Sequence, residues 1–213
     1  MTKAIQVVGT RSIYDLVLAY GVANAFKDIN TGVVDLERYW EQAATCALLS
    51  KYLAEELGVK EPEKLFVCGL LQNIGELVLV QLDSEIALKC VAISIEDTPL
   101  RLQKKHLGFS YADISADLLT LWGIPQDISQ IVANTHASEK HAESVEQKIL
   151  QLAYVMALND VNNETYGPYD GVTEDMLQGL SLEKADIDNA LDFSHLQLMN
   201  TLALFSPNSF AMF

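Results

Sequence analysis

Two neighbouring amide side chains, Gln72 and Asn73, interrupt the most apolar stretch of this sequence, which runs from Leu65 to Leu82. The stretch is apolar on nearly every side of a helical wheel, so it predicts a central helix pair that other helices surround. A buried polar side chain needs hydrogen-bond partners or an opening into a cleft. If the protein has a site, the sequence favours this position, just before Gly75.

His136 and His141 are a second candidate for chemistry, because imidazole is a common metal ligand. Together with acids such as Asp113 or Asp117 they could form the metal site of a hydrolase. Nothing in the sequence brings those carboxylates into register with the histidines, so a pair of solvated loop residues is the simpler interpretation.

Other catalytic patterns are missing from the sequence. It contains no Gly-x-Ser-x-Gly motif, no phosphate-binding glycine loop and no cysteine linked to a histidine by a motif. The sequence therefore predicts no catalytic residue, no metal and no cofactor.

The composition is that of a folded protein with a large core, since 50% of the 213 residues are hydrophobic and 20% are charged. The net charge of −15 argues against binding to nucleic acid or anionic lipid, which requires clustered lysine and arginine. Glu76 interrupts the longest apolar run and no signal peptide is evident, so we expect a cytoplasmic protein without a membrane span. An acidic surface suits protein partners instead.

The cysteines and tryptophans fit a reduced, helical core. Cys46, Cys68 and Cys90 lie among apolar residues, and no CxxC pair is present. We therefore expect three buried thiols that act as small hydrophobic side chains. Trp40 and Trp122 are expected to be core anchors.

Helical periodicity runs through the chain without a hairpin signal, which predicts an all-α, compact multi-helix bundle. The predicted helices span approximately residues 12–26, 35–57, 62–82 with a bend or break at Gly75, 86–98, a short basic helix to 108, 110–122, 126–134, 145–159 and 188–205. Thr173 and Ser181 are predicted to cap short helices. The loop 162–171, dense in turn residues, separates a domain of residues 1–160 from a C-terminal piece, 161–213, that we expect to pack on the same core.

Four segments in this order resemble the HDOD domain, the HD-related output domain of bacterial signalling proteins. They are Tyr39-Trp40 with the alanine-rich run 43–49, Gly69-Leu-Leu-Gln-Asn-Ile-Gly75, Gly108-Phe-Ser-Tyr-Ala-Asp-Ile114 and Leu121-Trp-Gly-Ile-Pro125. Their order and spacing match from about residue 4 to residue 159. The resemblance implies a helical fold of the HD type and a role in regulation.

The resemblance also implies that a metal site has been lost. The related HD phosphohydrolases hold metal with a His, an adjacent His-Asp pair and a later Asp, and the matching positions here are Gln42, Gln72, Asn73 and Tyr154. Amide oxygens are poor ligands for a divalent transition metal, and a phenol would have to lose a proton with a pKa near about 10. A metal-dependent hydrolase is therefore not expected from these residues.

A remnant cleft is expected at the same positions. Its predicted members are Gln42, Gln72, Asn73, Tyr111, His136 and Tyr154. The three amides allow two interpretations: they line a cleft that binds a small molecule or a peptide, or they bond to one another and to the helix break. An ordinary buried tyrosine is the simpler interpretation of Tyr111, which stands where many family members have a His.

HDOD domains usually carry several helices before the region that residues 4–11 match. We therefore expect a partner or a second copy of the chain to cover the first two helices, because an uncovered helical core would expose a large apolar patch. The leading functional prediction is a non-catalytic regulatory module that acts by protein–protein interaction or self-association. The alternatives are a phosphohydrolase with a rebuilt metal site and a sensor that holds a small molecule or nucleotide in the cleft.

Overall fold

The computed structural model describes residues 32–91, 93–136 and 144–205, together with 21, 24–26 and 29. Within these ranges the chain is helical and has no strand, so the predicted all-α bundle is confirmed. The helices are α1 (Leu36–Glu56), α2 (Pro62–Leu71), α3 (Ile74–Leu82), α4 (Ser84–Leu88), α5 (Pro99–Leu107), α6 (Tyr111–Leu121), α7 (Gln126–Ala133), α8 (Val145–Val161), α9 (Glu174–Leu180) and α10 (Lys184–Phe205). Most of the helix predicted at 12–26 lies outside the described residues.

Helix α1 is the element around which the bundle is built, because α2, α8 and α10 all pack against it. The Asp35 carboxylate caps its start by accepting hydrogen bonds from the backbone N–H groups of Glu37 and Arg38, at 3.0 and 3.2 Å. Gly58, with a φ of 67°, follows the end of α1. The small buried side chains of α1 let α2 approach closely, and a Cβ at Gly69 would lie only 2.7 Å from the backbone of Ala47.

The central apolar stretch forms two helices, α2 and α3, separated by a turn at Gln72 and Asn73. The bend predicted at Gly75 is therefore misplaced, because the break falls at the two polar residues before it. Gly75 lies in the first turn of α3, where its N–H donates to Ser115 Oγ at 2.9 Å. A Cβ at this position would collide with the carbonyl oxygen of Tyr111, so glycine is what allows α3 to pack on α6.

The helix predicted from Ile86 to Thr98 is wrong, since α4 ends at Leu88 and the described residues between it and Thr98 are not helical. A local turn replaces the helix: the Asp97 N–H donates to Ser94 Oγ at 2.9 Å, and the Ser94 N–H donates to the Asp97 carbonyl at 3.3 Å. Side-chain hydrogen bonds of this kind compete with helix formation.

One of the two tryptophans is not a core anchor. Trp40 is buried as predicted, but Trp122 is 42% exposed. Trp122 is the C-cap residue of α6, directly before the left-handed Gly123. Because the helix ends at this point, no further turn of α6 covers the indole ring. The three cysteines are buried and free, as predicted.

By length and composition, the segment Pro62–Leu82 is apolar enough to cross a membrane, so the single charge at Glu76 does not disqualify it. However, 72% of its most apolar window is buried inside the protein, and the turn at Gln72 divides it into two short helices. The segment is the core of the bundle.

The C-terminal helix α10 lies along α1, where the rings of Phe193 and Tyr52 are 4.9 Å apart. It begins at Lys184, earlier than predicted. The Thr173 side chain caps α9 as predicted, whereas Ser181 ends that helix with a left-handed φ of 56°. Because α8 and α10 both pack on α1, residues on either side of the proposed boundary at 160 share one core; the boundary itself stays a prediction.

Candidate functional site

A cavity of about 260 Å³ opens beside the turn between α2 and α3. A second space of about 60 Å³ shares Gln42, Asn73 and Glu76 with it and continues to Tyr111 and Tyr154. We call the two spaces together the Glu76 cleft, because this carboxyl group lines both. Helices α1, α3, α6 and α8 therefore converge on one site.

Five of the six predicted cleft residues line this cleft: Gln42, Gln72, Asn73, Tyr111 and Tyr154. The structure thus brings together all four positions that the resemblance aligns with the metal ligands of HD phosphohydrolases. The sixth residue, His136, lines neither space. Its ring packs edge-on against that of Tyr154, with a centroid distance of 4.5 Å.

The two amides at the helix break do not bond to each other. Gln72 is 1% exposed, and neither its Oε1 nor its Nε2 has a hydrogen-bond partner. Asn73 donates from Nδ2 to Glu76 Oε2 at 2.6 Å, while its buried Oδ1 is unpartnered. Buried polar atoms are nearly always satisfied in folded proteins, and the described residues supply no partner for these three atoms.

Glu76 lines both spaces of the cleft, yet the sequence pattern marks it only as the charge that interrupts the apolar run. It lies one helical turn after Asn73, in the first turn of α3. Burial raises its pKa to about 7, against the opposing effect of the hydrogen bond from Asn73. The available signal was a lone carboxyl group three residues from an amide within an otherwise apolar helix pair.

Three tyrosines surround this carboxyl group from different helices: Tyr39 from α1, Tyr111 from α6 and Tyr154 from α8. Burial, and then the negative charge of Glu76, raise the pKa of each phenol. All three phenols therefore keep their protons at neutral pH. The Tyr39 hydroxyl has no hydrogen-bond partner among the described residues.

Arg38 is the cationic residue in the cleft wall, and its guanidinium group is already engaged. Its Nε donates to Asn162 Oδ1 at 3.1 Å, and one terminal nitrogen donates to the Val161 carbonyl at 2.9 Å and to the Glu164 carboxylate at 2.5 Å. These contacts tie α1 to the loop after α8. They leave the cleft with a negative rather than a positive character.

Of the residues in the alternative metal site, His136, Asp113 and Asp117 lie in the described part of the chain. Burial lowers the pKa of His136 to about 4, and Asp113 is engaged by the Ser110 N–H at 2.7 Å and by Lys104 at 3.6 Å. His141 lies outside the described residues. Across residues that the structure describes, no group of three His, Cys, Asp or Glu side chains could hold a metal ion.

The fold defines the class of protein as an all-helical domain of the HD type. The HDOD domain family matches residues 1–138, and the chain belongs to this family. The resemblance read from four short segments is therefore confirmed, although the matched region ends before the expected residue 159.

Solved structures of similar fold come from bacteria. The protein called "Putative phosphohydrolase" from Shewanella amazonensis SB2B has a TM-score of 0.73 at 24% identity, over 96% of this chain and 76% of that one. The "Putative signal transduction protein" from Marinobacter aquaeolei VT8 has a TM-score of 0.64 at 19% identity, over 93% of this chain and 45% of that one. At these identities the likeness shows the fold alone.

A curated relative, called "Uncharacterized protein", comes from Treponema pallidum (strain Nichols). It is 23% identical over 181 residues, which are 83% of this chain. The chain spans 34% of the length of that relative.

Proposed function

We propose that this protein is a non-catalytic regulatory module of bacterial signal transduction, which acts in the cytoplasm by binding another protein or a second copy of itself. Membership of the HDOD family supports the signalling role, and the name of the Marinobacter aquaeolei relative agrees with it.

The donor set of the cleft carries the non-catalytic part of the proposal. Metal-assisted phosphoester hydrolysis needs several imidazole or carboxylate ligands that hold an ion and leave a position for water. Gln42, Gln72, Asn73 and Tyr154 supply amides and a protonated phenol in their place. The carboxyl group of Glu76 is a single hard ligand, and its raised pKa weakens it further at neutral pH.

Exposed apolar side chains support the partner-binding part. Leu196 and Met199 are 77% and 59% exposed, and their spacing of three residues puts them on one face of α10. Leu121 is 83% exposed at the end of α6, beside the half-exposed Trp122. Large apolar side chains that cluster on a surface are typical of protein-binding sites.

Two features support a cytoplasmic location. The free cysteines, Cys46, Cys68 and Cys90, suit a reducing compartment. The segment Pro62–Leu82 is mostly enclosed by the rest of the bundle, as a core segment would be.

The catalytic question is tested by metal analysis of the purified protein, together with phosphatase and phosphodiesterase assays in Mn²⁺, Mg²⁺, Ni²⁺ and Fe²⁺. We expect no stoichiometric transition metal and no turnover above that of the Glu76→Gln variant. Turnover that disappears in this variant would overturn the non-catalytic assignment.

Partner binding is tested by affinity capture from cells of the source bacterium and by light scattering of the purified protein. Leu196→Glu should reduce capture or self-association, because it places a charge in the apolar face of α10. Gln197→Glu introduces the same side chain at the next exposed position and should leave binding unchanged. Equal behaviour of both variants would remove α10 from the interface.

A further inference from the structure

The Glu76 cleft holds buried polar atoms that have no partner among the described residues: two amide oxygens, the Gln72 Nε2 group and the hydroxyls of Tyr39 and Tyr111. Gln72 Oε1 and Asn73 Oδ1 are buried and unpartnered, and both residues line the same cavity as the Glu76 carboxyl group. Among the described residues, no lysine, arginine or histidine affects the pKa of Glu76, whose only opposing influence is the Asn73 amide. Arg38 is held by Asn162, Val161 and Glu164 instead.

The walls of the cleft suit a positive charge. The tyrosines Tyr39, Tyr111 and Tyr154 line it and lie close enough to Glu76 for its charge to raise their pKa values. Tyrosine rings attract ammonium and guanidinium groups, most strongly where water is excluded. A cation at this place would meet a carboxylate, amide oxygens and aromatic rings at once.

The charges around the cleft disfavour anions. A phosphate-bearing ligand would need free cationic side chains or open backbone N–H groups. The start of α1, which lies at the rim, is already capped by the carboxylate of Asp35, and the whole chain carries a net charge of −15.

The size of the cleft restricts the ligand further. Its main cavity of about 260 Å³ lies below the range of roughly 300–1,000 Å³ that is typical of drug-sized ligands. Ala43, Val91 and Ile93 add an apolar wall that an alkyl chain can contact.

From these contacts we propose that the Glu76 cleft binds a small organic cation, an alkylamine or alkylguanidine, with the charged group placed against Glu76, Gln72 Oε1 and Asn73 Oδ1. The site does not depend on the proposed protein partner: loss of amine binding would leave partner binding untouched, and loss of partner binding would leave the site intact.

Titration calorimetry and thermal shift with four probes test this site. Agmatine and n-pentylamine are the cations, n-pentanol is the neutral molecule that matches pentylamine in shape, and adenosine monophosphate is the anion. We expect at least one cation to bind at least about tenfold more tightly than pentanol and to raise the melting temperature. Equal binding of pentylamine and pentanol, preferential binding of the nucleotide, or no binding of either cation at about 10 mM would each overturn the proposal.

Variants locate the binding. Glu76→Gln keeps the shape of the side chain and should weaken cation binding by at least about tenfold. Gln72→Leu removes an acceptor without changing any charge and should weaken cation binding by a smaller factor. This variant keeps the proposal testable if Glu76→Gln fails to fold. Glu56→Gln makes the same charge change at an exposed position of α1 and should bind like the wild type. Wild-type affinity in Glu76→Gln would overturn the proposal.

The pH dependence of cation binding tests the site independently of the variants. The other titratable or charged groups that face Glu76 are Tyr39, Tyr111, Tyr154, Cys90, Asp35 and Arg38. Raised pKa values keep the phenols and the thiol neutral, so cation affinity should rise between pH 6 and pH 8 as Glu76 loses its proton. An affinity that falls over this range would contradict the assigned site.

Discussion

The Nδ2 atom of Asn73 donates to Glu76 Oε2 at 2.6 Å, across the first turn of α3. The bond joins an amide that the resemblance aligns with a metal ligand of HD phosphohydrolases to a carboxyl group outside the four aligned positions. The chemistry of the cleft therefore centres on Glu76.

Glu76 should make stability fall as the pH rises. Burial raises its pKa from the ordinary value of 4.5 to about 7 in the folded protein. The folded protein therefore binds this proton more tightly than the unfolded chain does. The contribution is fully present below pH 4.5 and is lost as the pH rises through about 7. The shift corresponds to at most about 3 kcal/mol of stability. The figure is an upper bound because the side chain lines the cavity and is only partly shielded from solvent.

The Glu76→Gln variant cannot ionise at this position, so its free energy of unfolding should rise relative to that of the wild type between pH 5 and pH 8. Urea unfolding at several pH values measures the difference. Glu56→Gln, at an exposed position, serves as the control. A difference that stays constant with pH would show that Glu76 has an ordinary pKa.

His136 should act in the opposite direction at acid pH. Burial lowers its pKa from 6.5 to about 4, so the folded protein binds this proton less tightly than the unfolded chain. Stability is lost as the pH falls below 6.5, by up to about 3 kcal/mol near pH 4. His136→Phe keeps a ring against Tyr154 and should flatten the acid limb of the stability curve, whereas His106→Phe at an exposed site should not.

Gly75→Ala should destabilise the protein by about 2 kcal/mol or more, because the new methyl group would meet the backbone of Tyr111 and push α3 from α6. The matched change Gly179→Ala lies in a helix with nothing closer than 3.7 Å to the new atom. It should be neutral or stabilising by up to about 1 kcal/mol, as glycine-to-alanine changes in helices usually are. Thermal unfolding measures both, and equal effects would refute the close approach of the two helices.

Arg38→Lys should loosen the loop after α8, since an ammonium group cannot reproduce the three bonds to Asn162, Val161 and Glu164. Hydrogen exchange at the N–H groups of Thr165 and Tyr166, which donate to the Asn162 carbonyl, should become faster by about tenfold. Arg101→Lys changes a guanidinium that donates to the nearby Glu96 carbonyl and should leave these protons unaffected.

Local sequence patterns were enough to predict most elements. Helix α7 buries Ile128, Ile131 and Val132 at helical spacing, whereas the segment of α2 is apolar on nearly every side and was predicted from its length and composition. Local signals also placed the cap at Thr173. They failed from Ile86 to Thr98, where an apolar pattern persists but side-chain hydrogen bonds within 94–97 favour a turn. They failed at Trp122 because burial of a residue at a helix end depends on what packs beyond that end.

The sequence by itself determined that this chain folds as an all-helical HDOD domain, and that amides and a phenol occupy the four positions that the resemblance aligns with the metal ligands of HD phosphohydrolases. Both facts depend on residue identity and on order along the chain. Only the tertiary structure decided that Glu76 faces Tyr39, Tyr111 and Tyr154, and that Arg38 points to the loop after α8 instead of neutralising it. Those relationships join residues far apart in the sequence, so they exist only once α1, α3, α6 and α8 have packed together.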